Sequence, residues 1–527
     1  MENRTMKTTL VYKTFLYVCA GLGTLMLPTG CSEDKMDEIN QDINHPTSVN
    51  TSFLITEVEM STAFNVTGGD YNAYLSICME HEAGTAEQLY ETDHRMFQME
   101  DASNFGNCWG YIYNNLNACQ DVINACSAEG AEANNHVNRG IARTMMAYNL
   151  AILTDMHGDV PWSEALNFRE FMTPNLDKQE AIYQDVMKLL DEALNDLAQG
   201  NATTLAAADL YYNGDAAKWI KAVYALKARY TMRLLGRSAD RNGDLNKILD
   251  YVSKSFTSAE EEMKLAKYDG STTFNPTYVL ARSRDACGLS KSLMDKLISR
   301  QDPRAEQIAI NSDMQLITPA DPAYAPVPNG TGDKKQGIYT EAAIDWAECA
   351  PTQLISYHEL LFLKAEAQAR LGQDASATLK AAMEVAYVNL AASVQASINS
   401  TYTKKVHGVC TLSAAMADAH FEAHIRPLYQ ANPLQEVMIE KYLAFFGASG
   451  ESLEAFSDYR RMTYLGESFI KLANPLNAAT TEYPKGHFPL RCAYGSGDTT
   501  TNPNVYAAQG DGSFVYSEPV WWAGGTR

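Results

Sequence analysis

The stretch from Arg139 to Leu166, RGIARTMMAYNLAILTDMHGDVPWSEAL, constrains the fold more than any other part of the chain. Ile141, Met145, Tyr148, Ile152 and Met156 recur at spacings of three or four and form one apolar stripe. Ala142, Met146, Asn149 and Leu153 form a second stripe beside it. A helix with two such faces packs against neighbours on both sides, which places it inside a helical array. Gly158 suits the left-handed position just past a helix end, and Pro161 forbids continuation. Arg143, Asn149 and Asp155 argue against a membrane span.

Similar helices recur in pairs. Phe105–Ala125 joins the opening helix through the polar turn Ser127–Asn135. Asp177–Leu197, with Asp177 and Glu180 in capping-box spacing, is followed by Asp215–Leu235 and Gly236. Thr352–Leu371, ended by Gly372, precedes Asp374–Leu390, and Phe421–Tyr429 precedes Leu434–Phe446. The pattern predicts a mainly α protein with a divergent, discontinuous tetratricopeptide-like helix-pair scaffold. Two stretches depart from it. Glu82–Asp101 is mixed polar and aromatic and reads as a helix end running into an exposed loop. Tyr268–Pro351 is rich in Gly and Pro, and a long irregular segment in a compact helical protein is usually functional. The expected parts are therefore an N-terminal helical-repeat part (51–265), a loop-rich variable binding region (266–351), a C-terminal helical-repeat part (352–470) and a closing segment (471–527).

Ahead of these, Arg4, Lys7 and Lys13 precede an apolar run from Phe15 to Leu27, which ends in Leu27-Pro28-Thr29-Gly30-Cys31. A charged start, a short apolar run and small residues before a cleavage point describe a secretory signal over 1–30. The cysteine directly after it marks a lipobox in which Cys31 is diacylated, although Leu27 lies four residues before Cys31 instead of three. Several acyl chains anchor stably where one does not. Residues 31–50 are polar and suit a tether. The formal net charge is −22, and such a surface repels phosphates, so nucleic acid is not an expected partner.

Motifs for chemistry fail on inspection. His81-Glu82 and His358-Glu359 begin like H-E-x-x-H but lack the second histidine, and His420 and His424 have no evident third ligand. There is no nucleophile elbow, no phosphate-binding loop and no C-x-x-C. No metal and no cofactor is expected, and the eight cysteines beyond Cys31 are expected to be mostly free, buried thiols. Cys119 and Cys126, two turns apart on one predicted helix, are too far apart to bridge. Aromatics are the better clue, because a sugar ring offers an apolar face ringed by hydroxyls. Sites for such ligands are concave and partly apolar with a few convergent polar groups. The candidates are Gln88 and Tyr90 in the first irregular stretch and Asn275, Tyr278, Arg282, Tyr339 and Trp346 in the second, with Trp346 and Tyr278 stacking on a glycan. Trp109, in a W-x-x-x-Y helical setting, is assigned to the core.

The run from Leu153 through Thr154-Asp155-Met156-His157-Gly158-Asp159-Val160-Pro161-Trp162-Ser163-Glu164-Ala165-Leu166 resembles the "YGDVPYSEAL" signature of SusD/RagB-type lipoproteins, with His157 and Trp162 as departures. Asp302-Pro303-Arg304, Glu454-Ala455-Phe456-Ser457-Asp458-Tyr459-Arg460-Arg461 and the closing stretches Glu482–Pro489 and Asn502–Trp522 resemble further landmarks of that family, closest to its second, divergent branch. The resemblance implies a helix-pair scaffold beneath variable loops that bind ligand. It also implies a non-enzymatic protein held on the outer membrane at the cell surface. Such a protein captures an oligosaccharide or a peptide and closes over a SusC-like TonB-dependent transporter. An exported glycoside hydrolase and a helical-repeat scaffold without a small ligand are the alternatives.

Overall fold

The structure is a computed structural model that describes residues 49–96, 100–402, 404–447, 449–478 and 488–527. The signal, Cys31, nearly all of the tether and most of Glu482–Pro489 lie outside the described residues. The central helix runs from His136 to His157, and all nine residues of the two stripes are buried. Gly158 ends it at φ +84°, and a Cβ there would stand 2.5 Å from Arg491 Nη1. Glycine at this position therefore answers both to backbone conformation and to a close neighbour.

From Thr51 the chain runs through α1 (Thr51–Ser61), α2 (Asp70–Cys78), α3 (Glu87–Asp93), α4 (Gly106–Ala125) and the central α5 (His136–His157). Next come α6 (Gln179–Leu197), α7 (Ala216–Arg233), α8 (Arg241–Ser253), α9 (Pro276–Arg284) and α10 (Lys291–Ser299). The C-terminal part holds α11 (Tyr357–Arg370), α12 (Ser376–Ile398), α13 (Ala414–His420), α14 (Arg426–Ala431), α15 (Pro433–Ala444) and α16 (Ser452–Tyr464). Helix α5 packs between α4 and α6, α7 against α8, and α11 against α12 and α15, so the predicted pairs form one mainly α scaffold.

Three local readings change. The capping box at Asp177 and Glu180 is not formed. The turn after Gly158 folds back as β2 (Val160–Pro161) onto β3 (Leu176–Asp177), which aims Asp177 at the Trp162 and Ser163 amides, at 3.0 and 2.8 Å. Asp159 replaces it at the start of α6, accepting from Gln179 N at 2.9 Å. The Glu82–Asp101 stretch is not simply a loop either. It holds β1 (Glu82–Gly84) and α3, and β1 pairs antiparallel with β5 (Cys287–Leu289). Thr352 opens a buried strand, β6 (Thr352–Ile355), on β4 (Met263–Leu265); the helix begins only after Ser356, whose hydroxyl accepts from Glu359 N.

A chain of buried charges crosses the scaffold. Arg229 and Arg233 of α7 meet Glu359 of α11 and Glu454 of α16, at 2.7 and 2.6 Å, and Arg233 reaches Asp155 of α5 at 3.2 Å. Arg461 of α16 grips Glu366 of α11 with two bonds of 2.6 and 2.9 Å and also takes Asp458, which Lys441 of α15 reaches at 2.6 Å. Burial opposes the charge on Glu366, yet Arg461 and Arg370 hold its carboxyl down to about 2. This carboxyl is lowered in the folded state, so its contribution is present above the ordinary glutamate range and is lost as pH falls toward about 2. Glu366→Gln strands the Arg461 guanidinium in the interior and should cost about 3–5 kcal/mol in denaturant unfolding at neutral pH. The gap between variant and parent should narrow as the melt is repeated at falling pH.

Candidate functional site

The main groove lies where three segments distant in sequence meet. One wall is α9. Pro276 occupies its first turn, the Asn275 side chain accepts from the Thr277 and Tyr278 amides, and Asp285 ends it in a left-handed conformation. The opposite wall is the start of α2 together with the Gly68-Gly69 break. A Cβ on Gly68 would stand 2.4 Å from Pro276 Cγ, and one on Gly69 would stand 2.1 Å from Asn65 O. The glycine pair therefore lets the two walls close. The start of α4 forms the third side, and the β1–β5 ladder ties the first irregular stretch to the second.

The groove has a cavity volume of about 310 Å³ and continues past Asp70, Asn107 and Arg284 into a second hollow of about 160 Å³ that Gln88 lines. These volumes suit a small-molecule or oligosaccharide site. Tyr111 stands on the rim, 41 % exposed, with Val279, Leu280 and Phe64 supplying further apolar surface. Asp70 and Asn107 meet at 3.4 Å, and Arg284 donates to Gln88 Oε1 at 2.6 Å and to Glu87 at 3.2 Å. An exposed aromatic beside amide, carboxylate and guanidinium groups can stack on a sugar face and bond its hydroxyls.

The seven candidate residues fall into two groups. Gln88, Tyr90 and Tyr339 lie on the side where α3 approaches the 333–339 loop. Gln88 is exposed in the groove, and Tyr90 is half-buried with its ring stacked on His94 at 3.9 Å and Lys334 over it. The Tyr339 hydroxyl accepts from Asp333 N. The second group lies together beside the groove. Trp346 is 3 % exposed, with Nε1 bonded to Glu341 and Lys404 over the ring at 4.3 Å. Tyr278 is 1 % exposed and stacks on Phe274, while Arg282 is exposed and lies over Tyr402 and Phe274. Asn275 is buried, capping α9 and donating to Ala350 O. The expectation that Trp346 and Tyr278 present their rings to a glycan from the second irregular stretch meets two buried rings instead: a single 3-10 turn, Ala343–Trp346, folds the tryptophan inward. Asn275 likewise builds the wall.

Tyr111, Asn107, Asp70 and Arg284 were not among the candidates. Asn107 and Tyr111 stand four apart on the polar face of α4, and a tyrosine on such a face was the available signal. Around the groove, a polar knot joins remote segments. Glu80 accepts from the Ala473 and Asn474 amides at 2.6 and 2.7 Å, and Asn474 donates to Asp93 O at 2.7 Å. Asp93 in turn accepts from Gly330 N at 2.6 Å. His420 and His424 face each other at 5.6 Å, but among the described residues no three His, Cys, Asp or Glu stand together as metal ligands. The eight described cysteines are unbridged.

Residues 43–494 match the sequence profile of a SusD-like family described as starch-binding and associating with the outer membrane; the chain belongs to this family. A SusD/RagB family protein from Bacteroides thetaiotaomicron is 42 % identical and superposes with a TM-score of 0.86 over 91 % of this chain and 100 % of its own. A SusD homolog from Bacteroides fragilis (19 % identity, TM-score 0.69, 90 % of this chain and 100 % of that one) shares the fold. So does a chitin-binding SusD homolog from Flavobacterium johnsoniae (18 %, 0.65, 89 % and 98 %). None of the curated proteins matches the sequence. Among the described residues, no helix is long and apolar enough to cross a membrane.

The buried setting of Trp346 sets an expectation for the wall. Trp346→Ala should destabilise the protein by about 3–5 kcal/mol in chemical unfolding, the range for removing a buried aromatic. A loss below about 0.5 kcal/mol would return the ring to the surface.

Proposed function

We propose that the protein is a surface lipoprotein that binds an oligosaccharide in the groove between α2, α4 and α9. It then passes the ligand to a SusC-like TonB-dependent transporter in the outer membrane. The observation that carries the ligand reading is the exposed Tyr111 ring beside Asn107, Asp70 and Arg284 on a groove large enough for a few sugar units. Tyr111 supplies the stacking face, Asp70 and Asn107 bond hydroxyls on one side, and Arg284 with Gln88 does so on the other. Tyr90, Tyr339 and Arg282 support the rim, and Asn275, Tyr278 and Trp346 hold the wall behind it. The family's description as starch-binding agrees with this reading.

The reading assigns no catalysis. Two carboxyls do line the groove side by side, but Glu82 and Asp345 are immediate neighbours, close enough for Glu82 to push the Asp345 carboxyl up. Glycoside hydrolysis needs a separation of about 5–9.5 Å with the sugar between the pair. A peptide ligand is the second reading, and it predicts binding without stacking on Tyr111.

Tyr111→Ala should weaken oligosaccharide binding by about tenfold, or 1.4 kcal/mol, an order of magnitude in line with stacking on one aromatic ring. Its melting temperature should stay close to that of the parent, since an exposed side chain contributes little to the core. Unchanged affinity for every glycan that the parent binds would remove the groove from consideration. The anchor is tested separately: Cys31→Ala should move the protein from the membrane fraction into the soluble fraction, and retention at the parental level would show that acylation of Cys31 is not what holds it.

A further inference from the structure

The groove leads inward to a narrow crevice of about 30 Å³, and Asn72, Glu82, Thr277 and Asp345 line both cavities. The crevice has room for little more than one water-sized group. Four of its polar atoms have no hydrogen-bond partner among the described residues: Asn72 Oδ1, His81 Nδ1, Glu82 Oε1 and Asp345 Oδ1. All four side chains are more than nine-tenths buried. All four atoms are acceptors. His81 Nε2 donates to Tyr442 O at 3.0 Å, so Nδ1 carries the lone pair, and burial holds the ring neutral by lowering it to about 3. Leaving several acceptors buried without a donor is costly, and what satisfies them must bring N–H or O–H groups and no lone pairs.

Charge points the same way. Glu82 and Asp345 are joined by Asp285 and Glu341 around the Cys287 thiol, which burial and then these carboxyls push well up. Burial first, and then Glu82, push the Asp345 carboxyl well above the usual range, and burial also raises Glu341. Asp70 adds a further carboxylate in the outer groove. The cations nearby are turned elsewhere: Arg284 to Glu87 and Gln88, Lys404 over Trp346. No three of these acids and His81 stand together as metal ligands.

We propose that the inner end of the groove receives a primary ammonium group, so that the glycan this site selects is one with unblocked amino sugars. The inference rests on the oligosaccharide reading above and names its ligand class. An ammonium has three N–H donors and no acceptor, so it can satisfy several of these unpartnered acceptors at once, where a hydroxyl has a single donor. It also relieves the repulsion among Glu82, Asp285, Glu341 and Asp345, whereas a uronate or sulfate would add to it.

The test is calorimetric titration of the full-length protein with glucosamine hexasaccharide and with its fully N-acetylated counterpart, which differ only at the amine. Cellohexaose serves as the uncharged comparison. The titrations are run at about pH 5, below the range of amino groups near neutrality, so that the sugar amine is charged. The free-amine sugar should bind about tenfold or more tightly than the acetylated one. Asp345→Asn should abolish that preference, and Asp70→Asn, in the outer groove, should reduce it even if the buried variant fails to fold. Equal affinity for the two hexasaccharides, or tighter binding of the acetylated one, overturns the inference while leaving the oligosaccharide reading intact. Failure of all three sugars to bind overturns that reading and the inference with it.

Discussion

The two-pronged grip of Arg461 on Glu366 is the contact on which the rest of the scaffold depends. Helices α11 and α16 lie nearly a hundred residues apart in the chain, and both partners of this pair are fully buried. Desolvating two charges is costly, and a buried pair is weak evidence of extra stability by itself. Its effect is on alternatives: any packing that slides α16 along α11 separates the fork from its carboxylate and leaves both in the interior. Asp458, Lys441, Glu454, Arg229, Arg233 and Asp155 extend the same constraint through α15, α7 and α5. Trp522 and Tyr183 complete it by donating to the Asp155 carboxylate at 2.7 and 2.6 Å.

With the helices so fixed, the groove is shaped by backbone rather than by side chains. The Gly68-Gly69 break lets Pro276 approach, and the β1–β5 ladder holds the stretch before α3 against the stretch after α9. Hydrogen bonds from main-chain amides to Glu80 and Asp93 then fasten the outer loops. Polar side chains bonded to backbone in this way leave the rim chemistry free to vary while the walls stay in place.

The scaffold was legible in the sequence because its information is periodic. The stripes on α5, and Trp109, Ile112 and Leu116 on α4, repeat with the helix and are buried as the repeat requires. The same period put Asn107 and Tyr111 on the polar face of α4, yet periodicity cannot say that this face meets a second wall. Trp346 and Tyr278 failed for the opposite reason. An irregular stretch has no period, so nothing in the order of its residues distinguishes an aromatic that faces water from one folded inward by a single turn. Asp177 shows a third limit: its spacing to Glu180 fits a cap, but a strand pairing formed by the preceding turn claims the carboxylate first.

The polar knot at Glu80 has a consequence for the order of assembly. It binds the end of α2 to Ala473 and Asn474, almost four hundred residues later, and Asn474 then reaches back to Asp93. Closing a loop of that length costs entropy before any contact rewards it, and contacts between distant segments form late. The helix pairs, built from neighbours in sequence, can assemble first and alone. The groove cannot, because its walls and their fastening come from the beginning, the middle and near the end of the chain. The proposed binding groove is therefore the part of the fold expected to depend most on an intact C-terminal part.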